Sequence, residues 1–183
     1  MVLDRVPNYK GRAVLRRFSE DSNQLESISA DELIKTTKQV SRALVSLGYG
    51  HESKVGIFGN NKPEWTMADI GILNIRAIVV PFYATSNKEQ LKYIVDETQM
   101  ELMFVDDEGQ LEKAISLLDK TALKTIISFS EIKKKHQSVM TWTDFCQLGN
   151  EEDESKVENL LKAASSEDIA SIIYTSGTTG EPK

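Results

Sequence analysis

Apolar and polar positions along this chain follow two rhythms. Near the start, Ala13–Phe18 and Gln24–Ser29 alternate apolar with polar residues, and the polar run Ser19-Glu20-Asp21-Ser22-Asn23 separates them, so a β-hairpin is predicted. From Ser29 the period becomes helical. Leu33, Val40, Ala43, Leu44 and Leu47 fall mostly on one side of a helix expected to run to Leu47. Ser29 with Glu32 would form a capping box at its start, and Gly48 stands just past its end.

Beyond Gly48, short runs rich in branched residues recur at Val55–Phe58, Ile78–Phe82, Leu102–Val105, Thr125–Phe129 and Ile169–Tyr174. Longer helical segments lie between them, and that alternation predicts an α/β fold with a mostly parallel sheet and helices on both faces. Asn61 is expected to cap a helix whose first turn holds Pro63 and Glu64, and Ser86-Asn87-Lys88-Glu89 reads as another capping box. The region before the last run is weaker in pattern. Trp142-Thr143-Asp144-Phe145 reads as a helix start, and the acidic stretch Glu151–Glu158 as an exposed connection followed by a helix.

Composition narrows the function classes. With a net charge of −6, the chain lacks the surplus of Lys and Arg that a nucleic-acid footprint requires, so no nucleic-acid partner is expected. The basic run from Lys133 to Lys135, with His136 after it, reads as a solvated face. Cys146 is the only cysteine, which rules out an intrachain disulfide and reads as a buried structural thiol. The N-terminus lacks a basic stretch followed by an apolar one, and no apolar run reaches bilayer-spanning length, so a cytoplasmic protein is expected.

The chemistry concentrates at the end of the last apolar run, which continues as Thr175-Ser176-Gly177-Thr178-Thr179-Gly180-Glu181-Pro182-Lys183. In parallel α/β sheets ligands sit beyond the carboxyl ends of strands, and that is where this loop would lie. Gly177 and Gly180 allow close backbone approach, four hydroxyls add donors, and Lys183 brings a mobile positive charge. The loop is not the usual P-loop, because Glu181 and Pro182 separate the second glycine from the lysine, and it contains no G-x-G-x-x-G.

Tyr174–Lys183 resembles the most diagnostic motif of the adenylate-forming superfamily, the acyl-CoA synthetases, luciferases and nonribosomal-peptide adenylation domains. Upstream, Ile28–Leu33 looks like the family's helix entry, and Lys54–Trp65 and Ala77–Ser86 look like its next two strand-and-turn blocks. Pro-Glu-Trp and Pro-Phe-Tyr-Ala-Thr-Ser are similar to the long-chain fatty acyl-CoA synthetase branch, although Ala84 stands where proline is common. Trp65, Pro81, Thr85 and Ser86 also have packing or backbone reasons to be where they are.

The resemblance implies that residues 1–183 are the N-terminal portion of the large N-terminal domain of such an enzyme, incomplete and ending at the phosphate loop. Thr175, Ser176, Gly177, Thr178, Thr179, Gly180 and Lys183 would then hold the ATP phosphates, with no catalytic residue and no metal ligand in these residues. It further implies ATP, Mg²⁺, coenzyme A and a fatty acid as cofactors and substrates of the longer protein, with peripheral contact at the inner face of a membrane as an option. The 183 residues alone would lack ligase activity, and their terminus would be poorly ordered. Two readings from other classes stand beside this one. A self-sufficient nucleotide binder would need Asp106, Asp107 or Asp168 for magnesium, and an interaction module would use Glu151–Glu158.

Overall fold

The structure is a computed structural model that describes residues 5–19, 23–133, 135–151 and 154–175. After a short 3₁₀ turn at Val6–Tyr9, β1 (Ala13–Ser19) and β2 (Gln24–Ser29) pair antiparallel as the expected hairpin. Helix α1 (Ala30–Ser46) follows, its N-terminus capped by the Ser29 hydroxyl, which accepts from the Glu32 amide at 3.1 Å. Leu33, Val40, Ala43 and Leu44 are buried, whereas Leu47 at the helix end is 38% exposed. Gly48 takes φ 89°, a left-handed value suited to glycine just past a helix.

The rest builds a five-stranded parallel sheet in the order β4-β3-β5-β6-β7: β3 is Lys54–Phe58, β4 Ile78–Phe82, β5 Leu102–Val105, β6 Thr125–Ser128 and β7 Val139–Thr141. Helices α2 (Pro63–Asn74), α3 (Lys88–Thr98), α4 (Glu108–Ile115), α5 (Trp142–Glu151) and α6 (Glu154–Lys162) complete the described residues. Alternate side chains of each strand serve opposite cores. Val55, Ile57, Val79, Leu102, Phe104 and Ile127 pack with α1, α2, α5 and α6, while Phe58, Val80, Phe82, Met103, Val105 and Ile126 pack with α3 and α4. Burial on both faces explains why the strands read as apolar runs without polar alternation.

Several boundaries differ from expectation for local reasons. Lys62, not Asn61, precedes α2, because the residue before Pro63 is confined to extended backbone (φ −146°, ψ 168°). The capping box of α3 is Asn87 with Gln90, one residue beyond the expected Ser86 with Glu89. Strand β7 had no sequence signal, since Val139–Thr141 is three residues long and half-buried. The helix expected after the acidic connection begins at Glu154 as α6, where Glu154 pairs with Lys38 of α1 at 2.6 Å, while Glu152 and Asp153 lie outside the described residues. Among the described residues, no helix is long and apolar enough to cross a membrane.

Helices α1 and α5 approach backbone to backbone, and Gly149 makes this possible. A Cβ there would lie 2.0 Å from the Gln39 carbonyl oxygen. Gly149→Ala should therefore cost about 1–3 kcal/mol in urea unfolding. Gly50→Ala, where a Cβ meets nothing within 4 Å, should stay within about 0.5 kcal/mol of wild type.

Candidate phosphate-binding site

After α6 the chain returns across the sheet to the free edge of β4. The Val79 amide donates to the Ala170 carbonyl and the Ile172 amide donates to the Val79 carbonyl, both at 3.0 Å. This parallel pairing, centred on Ser171 and Val79, is all that remains of the strand expected over 169–174. The segment is paired on one side only, and its outward residues Ile169 and Ile173 are 57% and 63% exposed. Its inward residues Ile172 and Tyr174 pack against the core beneath α3 and α4. Tyr174 is three residues beyond Ser171, as Phe82 is three beyond Val79, so the chain leaves this edge beside the carboxyl end of β4.

Two contacts hold the segment at its ends. On the far side, the Tyr174 ring meets Tyr93 edge-on, with centroids 6.3 Å apart and planes at 88°. Its phenol bonds to Glu97, and burial, with that hydrogen bond and the Glu97 charge, pushes the phenol up to about 12. Tyr93 and Glu97 are four residues apart and therefore neighbours on one face of α3. On the near side, Arg76 donates from Nε and an η nitrogen to the two oxygens of Asp168, at 2.7 and 2.8 Å. Arg76 sits just past α2 with φ 60°, which turns the chain sharply into β4. The Asp168 carboxyl is held well below the usual range, first by the Arg76 hydrogen bond, then by the Ser165 amide, with the Arg76 and His51 charges adding to it.

Of the loop residues singled out from sequence, Thr175 is described and exposed, while Ser176, Gly177, Thr178, Thr179, Gly180 and Lys183 lie outside the described residues. The expected disorder of the terminus concerns those same residues. The three acids considered for magnesium are each engaged by the protein. Asp168 is in the Arg76 clamp, and Asp107 caps α4 by accepting from the Gln110 amide at 2.8 Å. Asp106 is buried at the carboxyl end of β5, where it pairs with Lys62 and accepts from Asn60 and Ser130 at 3.3 Å. A self-sufficient magnesium site built on these acids would have to break those contacts.

Sequence reasoning missed Arg76, Tyr93 and Glu97. The i, i+4 spacing of Tyr93 and Glu97 was visible, but nothing local tied them to a residue some eighty positions away. The remaining candidates have structural roles. Cys146 is buried, and burial, with the charge of Glu64, pushes its thiol up to about 12, which favours the neutral thiol of a packing residue. Lys133 pairs with Glu108 at 2.6 Å on the surface, and the His136 Nδ1 accepts from the Ser138 amide.

The chain matches the AMP-binding enzyme family over residues 4–183. It is 29% identical over 167 residues to the long-chain-fatty-acid–CoA ligase ACSBG2 of Xenopus laevis, covering 90% of this chain and 23% of that protein. To the long-chain-fatty-acid–CoA ligase ACSBG1 of Rattus norvegicus it is 31% identical over 160 residues, covering 86% of this chain and 22% of that one. It thus spans about a quarter of the length of these relatives. The fold resembles that of the anthranilate CoA ligase AuaEII in complex with anthranoyl-AMP, with a TM-score of 0.80 at 22% identity over 100% of this chain and 33% of that one. It also resembles the adenylation domain of a carboxylate reductase from Mycobacterium chelonae, with a TM-score of 0.78 at 17% identity and the same coverage.

Two measurements test this geometry. Because the Asp168 carboxyl is depressed in the folded state, the unfolded chain takes up its proton first as pH falls, so the clamp stabilises fully above the ordinary aspartate pKa of about 4 and fades below it. Asp168→Asn should lower the urea midpoint at pH 7 and differ less from wild type near pH 3. Tyr174→Ala should speed hydrogen exchange at the Ile172 amide, while Tyr174→Phe, which keeps the ring contact, should do so less.

Proposed function

This chain belongs to the AMP-binding enzyme family, and on that footing we propose that it forms the phosphate-binding part of an adenylate-forming fatty acid–CoA ligase. The observation that carries the reading is the loop Tyr174–Lys183, whose stem Ile169–Tyr174 is fixed beside the carboxyl end of a parallel sheet. The names of the curated relatives support a long-chain fatty acid as the substrate. Adenylation and thioester formation, with ATP and coenzyme A, would belong to the longer protein, acting in the cytoplasm.

In the first half-reaction a substrate carboxylate oxygen attacks the α-phosphorus of ATP, the bond to the bridging oxygen breaks, and pyrophosphate leaves with that electron pair. The amides and hydroxyls of Ser176, Gly177, Thr178, Thr179 and Gly180 would donate to the β- and γ-phosphate oxygens, where negative charge accumulates as pyrophosphate departs. Lys183 would add a positive charge at the far end of the loop. Mg²⁺, carried by the phosphates, would neutralise part of the remaining charge. Coenzyme A thiolate then attacks the acyl carbonyl, the acyl–phosphate bond breaks, and AMP leaves. The anchoring of Tyr174 on α3, one residue before Thr175, supports this reading of the loop.

In the longer protein, ATP–pyrophosphate exchange should depend on a long-chain fatty acid, and Lys183→Ala should lower it by about 10- to 10³-fold. Exchange supported only by a different class of acid would contradict the substrate. Exchange unaffected by Lys183→Ala would contradict the role of the loop. Residues 1–183 alone should show no exchange, and a measurable rate would overturn that part of the proposal.

A further inference from the structure

Phosphate binding leaves unused a cleft of about 350 Å³ between α1, α2 and α6, at the small end of the range for ligand pockets of about 300–1,000 Å³. Ile34 of α1 and Val157 and Leu161 of α6 give it apolar walls. None of the residues that line it belongs to the stem or the loop. The cleft is bounded by the two elements that carry the stem's clamp, since α2 ends at Asn74 just before Arg76 and α6 leads to Asp168.

Four buried side-chain polar atoms among the described residues lack a hydrogen-bond partner, and two of them, Arg42 Nε and Asn74 Oδ1, belong to residues that line this cleft. Asn74 is 1% exposed, and its Nδ2 already donates to the Ser41 hydroxyl at 3.2 Å. Arg42 is half-buried, and the acids that line the same cleft have other partners: Glu154 pairs with Lys38 at 2.6 Å and Glu158 with Lys162 at 3.6 Å. The Glu154 carboxyl is held below its usual range by the Lys38 hydrogen bond and charge, with the Arg42 charge adding to them. Buried polar groups in folded proteins are paired with few exceptions, so a free donor and a free acceptor in one cleft describe the groups that would complete them.

The donor calls for a carboxylate, which matches a guanidinium in charge and geometry. The acceptor calls for an N–H or an O–H. Charge decides between these two. Lys38 and Arg42 balance Glu154 and Glu158, so the lining has no net charge and suits a ligand that carries both signs. An ammonium meets that condition and supplies the N–H, whereas a hydroxyl would leave the ligand a net anion. The walls add the requirement of an apolar body.

We infer that this cleft binds an apolar α-amino acid, with its carboxylate on Arg42, its ammonium on Asn74 and its side chain against Ile34, Val157 and Leu161. The inference does not rest on the fatty-acid reading, because the adenylation chemistry above uses none of these residues.

The test is an amide NMR titration of the 183-residue chain with L-leucine, which should shift the signals of Asn74, Val157 and Leu161 in a saturable way. Three probes each remove one part of leucine: isocaproate lacks the ammonium, isoamylamine the carboxylate and glycine the side chain. Each should bind about tenfold more weakly or worse, and the α-hydroxy acid of the same skeleton should also bind more weakly than leucine. Arg42→Gln should weaken leucine binding about tenfold or more. Unchanged circular dichroism and melting midpoint would establish that the variant folds, and the probes put the same question to wild type without any variant. No saturable shift with leucine, shifts confined to other parts of the chain, or any of these probes binding as tightly as leucine would overturn the inference. So would leucine binding that Arg42→Gln leaves unchanged. The titration needs no nucleotide, so its failure is separate from failure of ligase activity in the longer protein.

Discussion

The two backbone hydrogen bonds between Val79 and the Ala170–Ile172 segment decide where the glycine- and hydroxyl-rich loop leaves the fold. Val79 lies in an edge strand whose outer side would otherwise present unpaired amides and carbonyls. Pairing with the returning chain satisfies one residue's worth of that edge and aligns the segment parallel to β4. The parallel direction matters, because it sends Thr175 toward the carboxyl end of the sheet, where backbone amides can be offered to a ligand.

A single bridge would be a weak hold, and the two side-chain contacts at its ends compensate. Arg76 can reach Asp168 because the left-handed turn after α2 swings its side chain out beside the start of β4. Tyr174 can reach Glu97 and Tyr93 because α3 lies over the face toward which alternate residues of the segment point. Both contacts depend on a rigid sheet, and burial of its central strands on two faces supplies that rigidity: Ile57 and Phe104 on one face and Phe58 and Met103 on the other have no exposed surface. Phe104 also stacks on Phe129 at 5.6 Å and meets Phe145 edge-on at 5.3 Å, tying β5 to α5.

Much of this architecture was legible in the sequence because local signals were strong. The runs at Ile78–Phe82 and Leu102–Val105 became strands with those bounds, and the hairpin followed its period-two pattern. Helix starts slipped by one residue where two capping residues competed, as at Ser86 and Asn87, or where proline restricted its neighbour, as at Lys62. The strand at β7 was hidden because it is short, and the start of the helix expected after the acidic connection was not legible because charge alone does not distinguish helix from loop. The chemistry proposed for the loop rests on residue types alone, whereas Arg76, Asp168, Tyr93 and Glu97 hold its stem only through contacts between distant parts of the chain.

The account turns on whether a nucleotide meets this loop while its stem stays on β4. A crystal structure of the longer protein with a non-hydrolysable ATP analogue measures that directly. It should place the β- and γ-phosphates within hydrogen-bonding distance of the amides of residues 176–180 and of the Lys183 ammonium, with Ile172 still bonded to Val79. Phosphates held elsewhere, or a stem detached from β4 with the phosphates bound, would contradict it.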